Sequence, residues 1–261
     1  MIDLVRAARI AEQATYAAGT HLRASRTRLA AGLVTQQTPE QVTQDIEREA
    51  EALMLDVLQR WCPEHGVMTR TRGAQWRDGQ PLWIANALDG APNYTRGHPQ
   101  YAVAIALVID GDVVVGAVYD PFHNEFFGAM RGHGAVLNGA PIRCSAPRSL
   151  LDALAATVFP ATLSRRMGPF TGEFGRVLRA FGGVRRSRCV SLEMAHLAAG
   201  RLDAFWGVDL HRWEAAAGIV LLREAGAVVE ARDAEPLLLS ESLLACTPGL
   251  RGSFLDVLSP A

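Results

Sequence analysis

The stretch WIANALDGAPNY, from Trp83 to Tyr94, brings an apolar run to an end on one carboxylate, Asp89, followed by Gly90, Ala91 and Pro92. An Asp-Gly pair suits a tight turn, and taken alone Asp89 reads as a turn former. Where such a turn opens a helix, the amides of Gly90 and Ala91 offer a cradle for phosphate. Arg70 in TRTRG carries a guanidinium suited to bidentate phosphate contact, although Arg70 and Arg72 also read as a solvated loop and Arg188 in RRSRC as a surface residue. Glu214 in WEAAAG and Asp45 read as acidic residues in a first helical turn, where a carboxylate complements the dipole. The seven histidines show no H-x-H or H-E-x-x-H spacing, so histidine ligation of a metal is not indicated.

The elements that must position these groups follow from periodicity. Leu4, Ala8, Ala11, Ala18 and Leu22 recur at helical spacing and predict an N-terminal helix with a weak, alanine-rich face. A second helix starts at Thr38-Pro39-Glu40-Gln41, a capping box with proline at the first helical position, with Thr43 as a rival cap. Val42, Ile46, Leu53 and Val57 form its expected apolar stripe. Beyond Trp61 the pattern changes to strands: PLWIANAL, QYAVAIALVIDGDVVVGAVYD folding back at Asp110-Gly111, and EFFGAM make a meander. From about Leu150, strands ALAATVF and RLDAFWG alternate with helical SLEMAHLAAG and WEAAAGIVLLREAG, a more layered α/β half. CSAPRSL, Cys144 to Leu150, is the expected joint between an N-terminal α+β half at 1–146 and a C-terminal α/β half at 147–261, together one structural unit. Trp83, Trp206 and Trp213 read as packing residues.

A chain of 261 residues can bury a sizeable core. Its 26 basic and 27 acidic side chains leave a formal net charge of -1, with no polybasic patch to suggest nucleic acid and no acidic run to suggest a disordered tail. Cys62, Cys144, Cys189 and Cys246 stand singly, without the spacing of a zinc site or a disulfide framework. The first residues carry charges throughout, unlike a signal peptide, and no stretch is apolar enough to span a bilayer. The expectation is a soluble, cytoplasmic protein with no membrane contact.

With these motifs in order, the chain resembles the inositol monophosphatase-like sugar phosphatases, a magnesium-dependent, lithium-sensitive family. NALDGAPN, Asn86 to Asn93, is similar to the family's D-P-[IL]-D-G-T-x-N turn. HGVMTRTR, His65 to Arg72, stands where the family has a G-E-E segment after an H-G pair, and WEAAAG, Trp213 to Gly218, where it has W-D-x-A-[AG]-G. GVRRSRCVSLEMAHLAAGRLDAFW is close to its G-x-R-R-x-G-S...L...V-A-x-G-x-x-D-A-[FY] stretch. The resemblance covers nearly the whole chain. It implies an α/β (α+β layered) fold, the αβαβα sandwich, and a homodimer. It also implies a phosphomonoesterase in which clustered magnesium ions clamp phosphate and activate water.

Carried over position by position, the resemblance also shows what has changed. The glutamate of G-E-E falls on Arg70, the two aspartates of the turn on Asn86 and Asp89, the water-positioning threonine on Ala91, and the aspartate of W-D on Glu214. Glutamate to arginine changes charge by two units and aspartate to asparagine by one, so this set is three units more positive than the family's. At an effective dielectric near 20, unit charges about 4 Å apart interact by roughly 4 kcal/mol, so an inward-facing Arg70 opposes a dication. Arg188 and Cys189 replace the glycine and serine where the family meets its sugar. Of the catalytic positions, Asp89 is retained and Ala91 has lost its hydroxyl.

The function expected from these changes is that of a divergent family member, catalytically impaired or repurposed. It would bind a phosphorylated or other anionic small molecule, or a protein partner, without a cofactor. Arg70, Asn86, Gly90, Ala91, Asn93 and Arg188 would contact the ligand. The alternative is a magnesium-dependent phosphomonoesterase, acting on an inositol-phosphate or sugar-phosphate-like substrate with a reduced metal site of Asp89, Glu214 and Asp45. A third reading is a structural partner in a homodimer or larger assembly.

Overall fold

The computed structural model describes residues 2–31, 38–75, 79–159 and 166–259. Helices α1 (Leu4–Ala31) and α2 (Pro39–Trp61) come first. Thr38, rather than Thr43, caps α2: its hydroxyl accepts from the Gln41 amide at 3.2 Å and the Gln41 side chain accepts from the Thr38 amide at 2.8 Å. The Thr43 hydroxyl instead bonds back to the Pro39 carbonyl at 2.9 Å. The buried row of α2 runs through Val42, Ile46, Ala50, Met54 and Leu58. The expected stripe is thus displaced by one residue in its second half, where Leu53 is exposed, because Ala50 continues the i, i+4 row that Leu53 leaves.

Eight strands then form one sheet: β1 (Gly66–Thr69), β2 (Gly73–Gln75), β3 (Leu82–Asp89), β4 (Ala102–Ile109), β5 (Asp112–Asp120), β6 (Glu125–Met130), β7 (Ala135–Leu137) and β8 (Ala140–Ile142), with helix α3 (Ala91–Arg96) between β3 and β4. The sheet order is β2-β1-β3-β4-β5-β6-β7-β8, and every pair is antiparallel except β1 with β3. The β4–β5 hairpin turns at Asp110-Gly111, both at positive φ, as a two-residue hairpin requires. No helix or strand covers 143–149.

The second sheet holds β9 (Leu154–Val158), β10 (Gly183–Arg185), β11 (Ala204–Gly207), β12 (Val228–Ala231) and β13 (Leu243–Cys246), ordered β10-β9-β11-β13-β12. Its helices are α4 (Met167–Ala180), α5 (Val190–Ala198), α6 (Arg212–Glu224) and α7 (Arg251–Leu258). Three apolar clusters give the layers. The first sits between α1, α2 and one face of the large sheet, the second between the sheets around α5 and α6, and the third between the small sheet and α4 with α7. This is the αβαβα sandwich. The middle cluster draws on both halves of the chain, so neither half completes its core alone.

The closest approach in the middle layer is at Gly116 of β5, where a Cβ would lie 2.5 Å from Val220 Cγ1 and 2.7 Å from the Ala217 carbonyl oxygen of α6. Because one of these obstacles is backbone, Gly116→Ala is expected to destabilise the fold by about 1–3 kcal/mol, read as a lowered urea midpoint. An unchanged midpoint would mean that α6 yields at this contact.

Candidate active site

The site is built where β3 ends. The β3–β4 ladder shifts register between Asn86 and Asp89, which turns both side chains of this buried strand end toward one cavity. Gly90 follows at φ 80°, and a Cβ there would lie 2.7 Å from the Gln100 carbonyl oxygen, so glycine is required on both counts. Asp89 is buried, and its Oδ2 accepts from the Ser191 amide at 2.8 Å and the Ser191 hydroxyl at 2.6 Å. It thereby caps the first turn of α5 from 102 residues away. Burial still pushes the Asp89 carboxyl above its ordinary range, against these bonds.

The cavity, of about 550 Å³, is lined by Arg70, Asn86, Asp89, Gly90, Ala91, Arg188 and Glu214 of the sequence-derived set. It lies within the roughly 300–1,000 Å³ range of small-molecule sites. Glu214 closes one side. Its Oε2 accepts from the His211 amide at 2.9 Å at the start of α6, so its capping role and its place in the cavity are compatible. Burial and the neighbouring Asp89 charge raise Glu214 to about 7. Asn86 Oδ1 is buried without a hydrogen-bond partner.

Two expected residues fall outside. Asp45 does not line the cavity; its carboxylate pairs with Arg48 one turn along α2. Asn93 does not line it either, because its Nδ2 donates to the Gln100 and Ser187 carbonyls, both at 2.6 Å, and so staples the loop before Arg188 to the β3–β4 connection. The amide cradle is small. Pro92 has no N–H and α3 is only six residues long, which leaves the Gly90 and Ala91 amides.

Sequence reasoning missed Glu47, the buried α2 carboxylate that reaches the cavity, and Arg96 at its mouth. Arg70 is not a lone charge. Its Nε donates to Glu47 Oε1 at 2.9 Å and its Nη2 to Glu47 Oε2, while Arg72 pairs with Glu51 at 3.3 Å. A signal was available: Arg70 and Arg72 are two residues apart at a strand end, and Glu47 and Glu51 are one helical turn apart, roughly matching distances of about 6 Å. The hydroxyls of Thr43 and Thr95 also line the cavity but bond each other at 2.8 Å and the Pro39 and Ala91 carbonyls at 2.9 Å. Neither therefore substitutes for the hydroxyl absent at Ala91.

Arg188 sits at φ 61°, a left-handed conformation that suits the glycine it replaces and costs an arginine about 1–2 kcal/mol. The loop is held there by Glu193, whose Oε1 accepts from the Ser187 amide at 2.6 Å and the Ser187 hydroxyl at 2.7 Å. Burial raises Glu193 to about 8. Among the described residues no three His, Cys, Asp or Glu side chains group as a metal site, and no helix is long and apolar enough to cross a membrane.

This layered sandwich, with its cavity at the end of a bulged central strand, is the architecture of solved inositol monophosphatases. That of Anabaena (Nostoc) sp. PCC 7120 superposes with a TM-score of 0.87 at 31% identity, over 98% of this chain and 96% of the other. The suhB extragenic suppressor protein of Bartonella henselae superposes with a TM-score of 0.87 at 29% identity, over 97% and 98%. The inositol monophosphatase family model matches residues 3–257, and the chain belongs to that family. Among its relatives, the inositol-1-monophosphatase of Synechocystis sp. is 36% identical over 206 residues, 78% of this chain and 72% of that protein. The Nus factor SuhB of Escherichia coli K12 is 36% identical over 186 residues, 71% and 70%.

Two outcomes follow from these charges. Arg70→Ala strands the Glu47 carboxylate in a buried position, and a loss of about 1–3 kcal/mol in urea denaturation is expected; no loss would show the pair to be dispensable. Glu193 holds its proton up to about pH 8 when folded, against an ordinary value of 4.5, so the folded chain binds more protons across that window and stability falls as pH rises through it. Glu214, raised to about 7, adds to the lower part of the same slope. Glu193→Gln should raise stability at about pH 8 and leave it little changed at about pH 4. Equal effects at both would contradict the shift.

Proposed function

We propose that this family member is catalytically impaired and uses its cavity to bind a phosphorylated small molecule without a metal. The observation that carries the reading is the Arg70–Glu47 pair, a guanidinium locked in the cavity wall at the position where the family's motif has a glutamate. A multi-metal clamp needs several carboxylate oxygens converging on hard cations. Asp89 and Glu214 remain, each with one oxygen committed to a backbone amide, and Asn86 offers a neutral oxygen. This donor set does not fit a cluster of magnesium ions. Arg96 and Arg188 supply cationic groups on the cavity lining, and Arg70 Nη1 is left by its pairing with Glu47. The catalytic position at Ala91 has no hydroxyl to orient water.

A second reading keeps weak magnesium-dependent phosphomonoesterase activity. It is favoured by the closeness of Asp89 and Glu214, whose charges act on each other. Magnesium titration by calorimetry and inositol monophosphate hydrolysis in one buffer separate the two. The expected result is no resolved magnesium binding and no lithium-sensitive turnover. Restoring Arg70→Glu, Asn86→Asp, Ala91→Thr and Glu214→Asp together should create magnesium binding, because the ligands act as a set. Robust lithium-inhibited turnover by the unmodified protein would overturn the proposal.

A further inference from the structure

The cavity is polarised. Its buried end presents the Asp89 carboxylate and Glu214 Oε1, which makes no hydrogen bond among the described residues, with the Asn86 side chain beside them. Its exposed lining carries Arg96 and Arg188 together with the Glu40 carboxylate, and neither arginine has a carboxylate in ion-pair range among the described residues. Arg186 lies nearby, its guanidinium 4.2 Å over the Phe159 ring. Burial and the charge of Arg188 disfavour protonation of Arg186, and the Glu193 charge opposes them only in part. The loop that aims Arg188 is fixed from two sides, by Glu193 on Ser187 and by Asn93 on the Ser187 carbonyl. A left-handed arginine held this firmly is a site of local strain, of the kind associated with ligand clamps.

We infer that the ligand is an amino-substituted phosphorylated polyol, with its phosphate at the Arg96 and Arg188 mouth and its ammonium at the Asn86, Asp89 and Glu214 end. This rests on the reading of the cavity as a metal-free phosphate-binding site and specifies its ligand. An ammonium brings three N–H donors and one positive charge to a place with two carboxylates. Guanidinium groups at the open end match a phosphate in geometry and charge. Placing the phosphate at the buried end instead would set it against Asp89 and Glu214.

The test is calorimetry in chelator with glucosamine 6-phosphate, glucose 6-phosphate and inorganic phosphate. The amino sugar phosphate should bind at least tenfold tighter than its hydroxyl isostere. Glu214→Gln, which retains an oxygen to accept from the His211 amide, should erase most of that preference. Arg188→Gly should weaken both sugar phosphates by a similar factor, about tenfold, with no fall in melting temperature, since glycine relieves the left-handed strain. Equal affinity for the two sugars, or a preference that survives Glu214→Gln, would overturn the inference and leave metal-free phosphate binding standing. Failure of both sugars to bind would overturn both readings, and binding that appears only with added magnesium would return the reduced phosphatase to first place.

Discussion

The site depends on one buried carboxylate. Asp89 ends the central strand of the large sheet and accepts two hydrogen bonds from Ser191, at the first turn of a helix packed between the two sheets. That contact ties the β3 end to the segment carrying Arg188 and Val190, two parts of the cavity wall. Its desolvation is unfavourable, and the bonds from Ser191 and the first-turn dipole of α5 offset it. A residue at this position serves the fold whether or not it serves a ligand.

Around this anchor the charges have been rearranged rather than simply lost. The family's motif would place a glutamate where Arg70 stands, and Arg70 is neutralised by Glu47 from α2. The pair binds helix to sheet and removes the long-range repulsion that a lone guanidinium would exert. The guanidinium groups left unpaired, Arg96 and Arg188, stand at the exposed side beside the Glu40 carboxylate, separated from Asp89 and Glu214 at the buried end. In the proposed account this separation, more than the net charge of the cavity, selects the ligand.

Much of the fold was legible in the sequence. The Asp110-Gly111 hairpin and the EFFGAM strand stand where turn chemistry and alternation placed them, because local rules decide them. The short strands Gly183–Arg185, Val228–Ala231 and Leu243–Cys246 were not read, since three or four residues carry too little period and their pairing is non-local. At the site, the residues of the bulged strand end and Glu214 were found through motif order. Glu47 and Arg96 were not, because neither stands in a family motif and their relevance arises only when α2 and α3 close over the strand end. Asn93 and Asp45 do not line the cavity, and motif position says nothing about which backbone carbonyl or neighbouring arginine will claim a side chain.

The central claim is that this cavity holds its ligand with the protein's own cations rather than with metal. The most direct measurement is a crystal structure of the protein grown with manganese and glucosamine 6-phosphate, with anomalous differences collected to locate the metal. The account predicts no anomalous peak between Asp89 and Glu214, and phosphate density within hydrogen-bond distance of the Arg188 guanidinium. A manganese peak bridging those two carboxylates, with phosphate coordinated to it, would contradict it.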